Sequence, residues 1–192
     1  ICRLGYFDEI TTECAECIYA GMMTDTGGFT YNRNDPEIYY IISQLLSKGI
    51  DKDQIYRNVF HTYSEGRLRL MGHVLTNMHV YPDFRAALIT LTKKEQSRFN
   101  FMRGDAEGFV NLPLQMKGIV FSVFLREDTE KDMIKVSLRS TGNFPCNQVA
   151  SEFFGGGGHL NASGGEVYGT MDEALERFKA ALVKFQPLLL KK

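Results

Sequence analysis

The run Gly155-Gly156-Gly157-Gly158-His159 constrains this chain more than any other stretch. Each glycine gives up more backbone entropy on folding than any other residue would, so four in a row between ordered segments need compensation. Close approach supplies it. Backbone N–H groups with no side chains in the way can converge on phosphate oxygens, above all where a helix begins. His159 can donate to the same anion, and Ala162 with Gly164-Gly165 keeps the following turn narrow. A flexible linker or a plain tight turn is the competing reading of the same residues.

The sequence around this run is that of a globular chain. Its 192 residues are 44% hydrophobic, enough to fill a core in one large domain or two small ones. Twenty-two basic against twenty-three acidic residues give a net charge of -1, which argues against a protein that coats long nucleic acid through a broad basic surface. Four cysteines are too few and too unevenly spaced for a secreted disulfide framework, and no run is long enough to span a membrane. A cytoplasmic location is expected. Ile1 is not a start methionine, and Ile1 to Tyr6 reads like the end of an amphipathic helix, so further residues are expected upstream.

Periodicity divides the chain into a helical first part and a mixed second part. Helices are expected over Glu9–Met23 with Thr11 or Thr12 as N-cap, over Pro36–Ser47, and from an Asp51 cap through 53–79 with a break near Gly66. Beyond Tyr81-Pro82, Ala86–Thr92 is a short apolar run. Lys93–Arg103 and Ala106–Met116 read as helices, and 118–125 and 133–139 as a hairpin around Asp128, Glu130 and Asp132. A short helix at 147–153 leads into the glycines, 166–168 reads as a strand, and 172–185 as a final helix beginning near Thr170. The predicted fold class is α/β overall, a helical segment followed by a compact α+β domain with a small mixed sheet. Its boundaries are placed at 1–68, a linker at 69–82, and 83–192.

Two further segments carry chemistry. Arg139 ends the strand Val136-Ser137-Leu138-Arg139-Ser140, where a guanidinium can grip phosphate in bidentate fashion, with Ser140 and Thr141 as hydroxyl donors. An exposed strand-end arginine is the alternative. Asp25, in Thr24-Asp25-Thr26-Gly27-Gly28-Phe29, is a candidate ligand for a hard cation such as Mn²⁺ or Mg²⁺, against an Asx-turn or helix cap. The same loop resembles one half of an aspartic-protease site, but only one such loop is present. Cys14-x-x-Cys17 is explained by one turn of helix, Asp51-Lys-Asp53 by N-capping, and His61, His73 and His79 share no face.

Together these segments resemble the DHH family of phosphoesterases, which includes RecJ-like exonucleases and the enzymes that degrade oligoribonucleotides (nanoRNases) and pAp. Thr24 to Phe29 is similar to the family's fourth metal-binding motif, and Gly155 to Gly164 to the signature of the DHH-associated C-terminal domain. The resemblance implies that Asp25 binds Mn²⁺ (or Mg²⁺), the only catalytic role it assigns. It also implies that Arg139, Ser140, Gly155, Gly156, Gly157, Gly158 and His159 hold the substrate's phosphate and terminal nucleotide. The family's upstream Asp-x-Asp motif and Asp-His-His triplet do not occur before Asp25, and Gly28 stands where many relatives carry a larger residue. The implied reaction of the intact enzyme is metal-assisted phosphodiester hydrolysis of short oligoribonucleotides or pAp, with this chain inactive alone and a homodimer as a candidate assembly. Polyphosphate hydrolysis, a non-catalytic nucleotide-binding module and a nucleic-acid or tRNA-editing accessory domain are the alternatives.

Overall fold

A computed structural model describes residues 5–30 and 35–191, divided into two compact units, Ile1–Tyr63 and Ser64–Lys192. The reading of Ile1 to Tyr6 as a helix end lies mostly outside the described residues.

The first unit is helical: α1 (Thr12–Asp25), α2 (Pro36–Leu46) and α3 (Lys52–Phe60). Local chemistry starts each one. Thr11, Asp35 and Asp51 are the N-caps, their side chains accepting from the backbone N–H groups of Cys14, Glu37 and, for Asp51, both Asp53 and Gln54. Ala15, Tyr19, Met23, Leu45 and Ile50 form its core, on the helix faces set by the apolar spacing.

The second unit opens with α4 (Glu65–Thr76), capped by Ser64, and then builds a six-stranded sheet. Its strands are β1 (His79–Tyr81), β2 (Ala86–Leu91), β3 (Phe121–Glu127), β4 (Met133–Ser140), β5 (Gly157–His159) and β6 (Ala162–Tyr168), in the order β1-β2-β3-β4-β6-β5. Only β2 and β3 pair in parallel, joined by a crossover through α5 (Lys93–Arg98) and a 3₁₀ segment at Phe109–Gln115. The helices α6 (Cys146–Phe153) and α7 (Met171–Leu189) complete the unit.

Alternation along the strands gives the sheet two apolar faces. Leu88, Phe121, Val123, Leu125, Val136 and Leu138 are packed with Val149, Ala150 and Phe178 of α6 and α7 in the main core. On the other face Ile89, Leu91 and Phe124 pack with Leu70 and Val74 of α4 and with Phe109 and Val110.

Several predicted elements change shape. The break in 53–79 falls at His61–Ser64 rather than at Gly66, because Ser64 restarts the helix, and His79 already belongs to a strand. Gly66 has another duty: a Cβ there would lie 2.8 Å from the Phe99 carbonyl oxygen. The helix expected over Lys93–Arg103 ends at Arg98, where Asn100 turns left-handed at φ +50°. Of the helix expected over Ala106–Met116 only Phe109–Gln115 is helical, as a 3₁₀ segment that contains Pro113, and not an α-helix. No helix begins at the glycine run, which follows the C-terminus of α6 and supplies strand β5 instead. Among the described residues no helix is long and apolar enough to cross a membrane.

Candidate functional site

Strand register assembles the candidate site in the second unit. Directly paired residues on neighbouring strands place their side chains on one face. Arg139 of β4 pairs with Ala162 of β6, and Ala162 pairs with His159 of β5, so Arg139, Ala162 and His159 lie in one row across three strands. The adjacent row is Ser137, Gly164 and Gly157. This is the face opposite α6 and α7, and none of these six residues is buried. A cation, an imidazole and small residues thus share an open sheet surface at the edge strand. The two-residue turn Leu160-Asn161 joins β5 to β6 and sets this register.

The glycines divide into two kinds. A Cβ on Gly156 would lie 1.9 Å from the Gly164 carbonyl oxygen, and one on Gly158, at φ +142°, would lie 2.6 Å from that of Ala162. Backbone-to-backbone packing therefore demands both. Gly155, at φ +58°, turns the chain out of α6, and the Gly156 N–H donates to Ala150 O. A Cβ on Gly157 would meet nothing within 4 Å. Of the four, Gly157 faces open space, and as part of an edge strand it lies beside outward-pointing backbone groups.

Arg139 is half-buried and donates from one guanidinium nitrogen to the Leu138 carbonyl at 2.9 Å. The His159 ring is exposed. Ser140 points the other way, into the core side: its hydroxyl donates to Phe144 O at 2.7 Å and accepts from Asn161 Nδ2 at 2.8 Å. Asn161 also donates to Gly142 O, and so ties the β5–β6 turn to the end of β4. That clamp was not foreseen in the sequence, although an Asn in a turn after glycines was its one visible signal. Thr141 is exposed beside it.

Beside Arg139 lies a cavity of about 130 Å³, lined in part by Phe101, Phe124, Arg126, Ser137 and Glu107. A larger concavity of about 770 Å³ lies by the 141–144 turn and the end of α7. Its guanidinium, Arg85, is already committed to the carbonyls of Gly118 and Leu189.

In the first unit Asp25 ends α1 and is exposed. The loop around it is tightly organised: Thr26 Oγ1 donates to Met22 O at 2.7 Å and accepts from Phe29 N–H at 2.9 Å. Gly27, Gly28 and Phe29 all have left-handed φ, and the Phe29 ring packs 5.5 Å from that of Tyr19. A bulky residue at φ +64° is strained backbone, held by those contacts. The Asp25 carboxylate accepts no hydrogen bond among the described residues. A Mn²⁺ or Mg²⁺ site needs several oxygen or nitrogen donors, and no group of three His, Cys, Asp or Glu gathers among the described residues. Asp25 is one hard donor; by themselves these residues do not fit a divalent metal.

Fold and site define an α/β protein whose second unit presents a basic, small-residue sheet face at a glycine-rich edge. Residues 87–185 match the DHHA1 domain, and the chain belongs to that family, the DHH-associated domain of DHH phosphoesterases. It is 34% identical over 176 residues to the bifunctional oligoribonuclease and PAP phosphatase NrnA of Thermus thermophilus, covering 91% of this chain and 51% of that protein. The Bacillus subtilis protein of the same name is 28% identical, with 86% and 51% covered. The chain thus spans about half the length of these relatives. The crystal structure of an exopolyphosphatase-related protein from Bacteroides fragilis superposes with a TM-score of 0.96 at 68% identity, over 100% of this chain and 56% of that one.

Proposed function

We propose that this chain is the substrate-holding part of a phosphoesterase that hydrolyses short oligoribonucleotides and pAp-type nucleotides in the cytoplasm. The observation that carries the proposal is the row Arg139–Ala162–His159 on the sheet face away from α6 and α7. A guanidinium can grip a terminal phosphate through two parallel hydrogen bonds, and an imidazole two strands away can add another donor. Ala162, Gly164 and Gly157 leave room for the attached nucleoside to lie flat on the strands. The near-neutral net charge of -1 suits a ligand with few phosphates, since each neutralised phosphate of a long strand asks for its own basic side chain.

Asp25 is proposed as one ligand of a Mn²⁺ or Mg²⁺ centre whose remaining donors lie outside the described residues. This chain's own part is to hold and orient the phosphate end. Alone, the chain is proposed to bind without turnover. The printed names of the NrnA relatives, oligoribonuclease and PAP phosphatase, support the substrate class.

The name of the Bacteroides fragilis relative favours a second reading, a phosphoanhydride hydrolase acting on polyphosphate. Competition against a 5′-labelled diribonucleotide separates the two. Displacement by unlabelled diribonucleotide and pAp, but not by inorganic polyphosphate of equal phosphate count, is expected. Displacement by polyphosphate alone would overturn the nucleotide reading.

A further inference from the structure

Between α5 and the 3₁₀ segment the chain runs as a series of turns, with no helix or strand ladder to hold it. Its hold comes from α4. The missing side chain of Gly66 lets α4 press against the Phe99 carbonyl, and the next residue, Arg67, is fixed in the first turn by its own N–H, which donates to the Ser64 cap. From there Arg67 donates through Nη1 to the carbonyls of Gly104 and Asp105 and through Nη2 to that of Glu107, each at 2.7 Å. Its guanidinium carbon also lies 5.3 Å from the centre of the Phe109 ring. Three carbonyls of one short segment thus converge on a single guanidinium.

That convergence decides where the amides of the segment point. A trans peptide is planar, so a carbonyl and the N–H of the following residue face opposite ways. With the Asp105 and Glu107 oxygens turned to Arg67, the N–H groups of Ala106 and Gly108 are turned away from it. Neither has an acceptor among the described residues, whereas the N–H groups of Asp105 and Glu107 donate to Met102 O and Gly104 O. Ala106 and Gly108 are half-buried and line the cavity beside Arg139, and Arg67 does not, so the cavity lies on the side these two donors face. A cation on a carbonyl oxygen also polarises its peptide and strengthens the N–H at the other end as a donor.

The remaining lining suits an anion. Arg139 and Arg126, the latter over the Phe101 ring at 5.3 Å, both border the space, and Glu107, exposed, is the one acid among the described lining residues. At about 130 Å³ the cavity equals roughly four waters, which fits one tetrahedral oxyanion and no more.

We propose that Arg67 is a positioning residue of the phosphate site: by gripping the carbonyls of 104–107 from behind, it presents the Ala106 and Gly108 N–H groups to the single terminal phosphate that Arg139 holds. This rests on the proposed function, in which Arg139 grips that phosphate. One phosphate fills the cavity, and the group to be hydrolysed stays outside it. Arg67 itself touches no ligand and acts only through the two amides.

The test is an amide-shift titration of the isotope-labelled full chain with AMP, and with adenosine as the phosphate-free control. The Ala106 and Gly108 amide protons should move downfield saturably with AMP and stay in place with adenosine. Arg67→Gln should abolish those two shifts and weaken AMP about tenfold while adenosine affinity stays within about twofold, a difference that a merely structural role would not produce. Thermal unfolding checks that the variant is folded. Absence of the two downfield shifts in the unmodified chain at AMP saturation overturns the proposal without any variant. So does Arg67→Gln weakening AMP and adenosine equally, or neither. Arg139→Gln addresses the underlying reading separately: unchanged AMP affinity there overturns the role of Arg139, while the two amide shifts and their loss in Arg67→Gln would still uphold the backbone cradle. No AMP binding by the unmodified chain overturns both.

Discussion

Gly156 and Gly164 approach so closely that a single methyl on Gly156 would fall 1.9 Å from the Gly164 carbonyl oxygen. The atom it would meet is backbone in a paired strand and cannot swing aside. Gly156→Ala should therefore destabilise the second unit by about 1–3 kcal/mol or more, as overpacking does. Gly157→Ala next to it, with nothing within 4 Å, should leave the thermal midpoint unchanged. If Gly157 lies under the ligand, the same variant lowers nucleotide affinity about tenfold, or ~1.4 kcal/mol. Urea unfolding and nucleotide titration of the two variants check both statements.

Asn161 links the β5–β6 turn to β4 through Ser140 Oγ and Gly142 O. Asn161→Ala leaves the buried Ser140 hydroxyl and the Gly142 carbonyl each short of a donor and should cost about 1–3 kcal/mol. Hydrogen exchange should quicken at Gly157, His159 and Ala162 before it does in β3. Uniform exchange change across the sheet would contradict the clamp.

Much of this was legible in the sequence wherever the cause is local. Thr11, Asp51 and Thr170 announced helix starts because a cap needs only its own side chain and the next three N–H groups. The β3–β4 hairpin was legible from two alternating runs around Asp128. Strand β5 was hidden, because Gly157-Gly158-His159 has no strand preference and pairs only through close backbone approach to β6. Arg126 was hidden for a different reason. Its place beside Arg139 depends on hairpin register and on a crossover segment that brings Phe101 back over the sheet, neither of which periodicity encodes. Ser140 looked like a phosphate donor from spacing alone, yet strand alternation turns it toward Phe144.

The β3–β4 turn should make stability acid-sensitive. The hydrogen bond to Lys135, then the Glu130 and Lys131 N–H groups, hold the Asp128 carboxyl well below the usual aspartate range. A depressed folded value means the stabilisation is complete above the unfolded value of about 3.9 and is lost as pH falls below it. Asp128→Asn should lower the urea midpoint at pH 6, and the gap from the unmodified chain should close as pH falls from 4 toward 2. A gap that is constant with pH would contradict the assignment.

In the first unit, Thr26→Ala removes both the donor to Met22 O and the acceptor for the strained Phe29 N–H. It should cost about 1–2 kcal/mol. Asp25→Asn, at an exposed position with no hydrogen bond to lose among the described residues, should stay within about 0.5 kcal/mol of the unmodified chain. Thermal unfolding distinguishes the two; a large loss from Asp25→Asn would show that its carboxylate is structural and not held for a metal.

The most direct measurement of the central claim is a titration of the isotope-labelled chain with AMP, followed by backbone amide chemical shifts. Saturable shifts at Arg139, Gly157, His159 and Ala162, abolished together by Arg139→Gln, are the predicted result. Shifts confined to the concavity around Arg85 and the 141–144 turn, or none at all, would contradict a phosphate site on the β4–β6–β5 face.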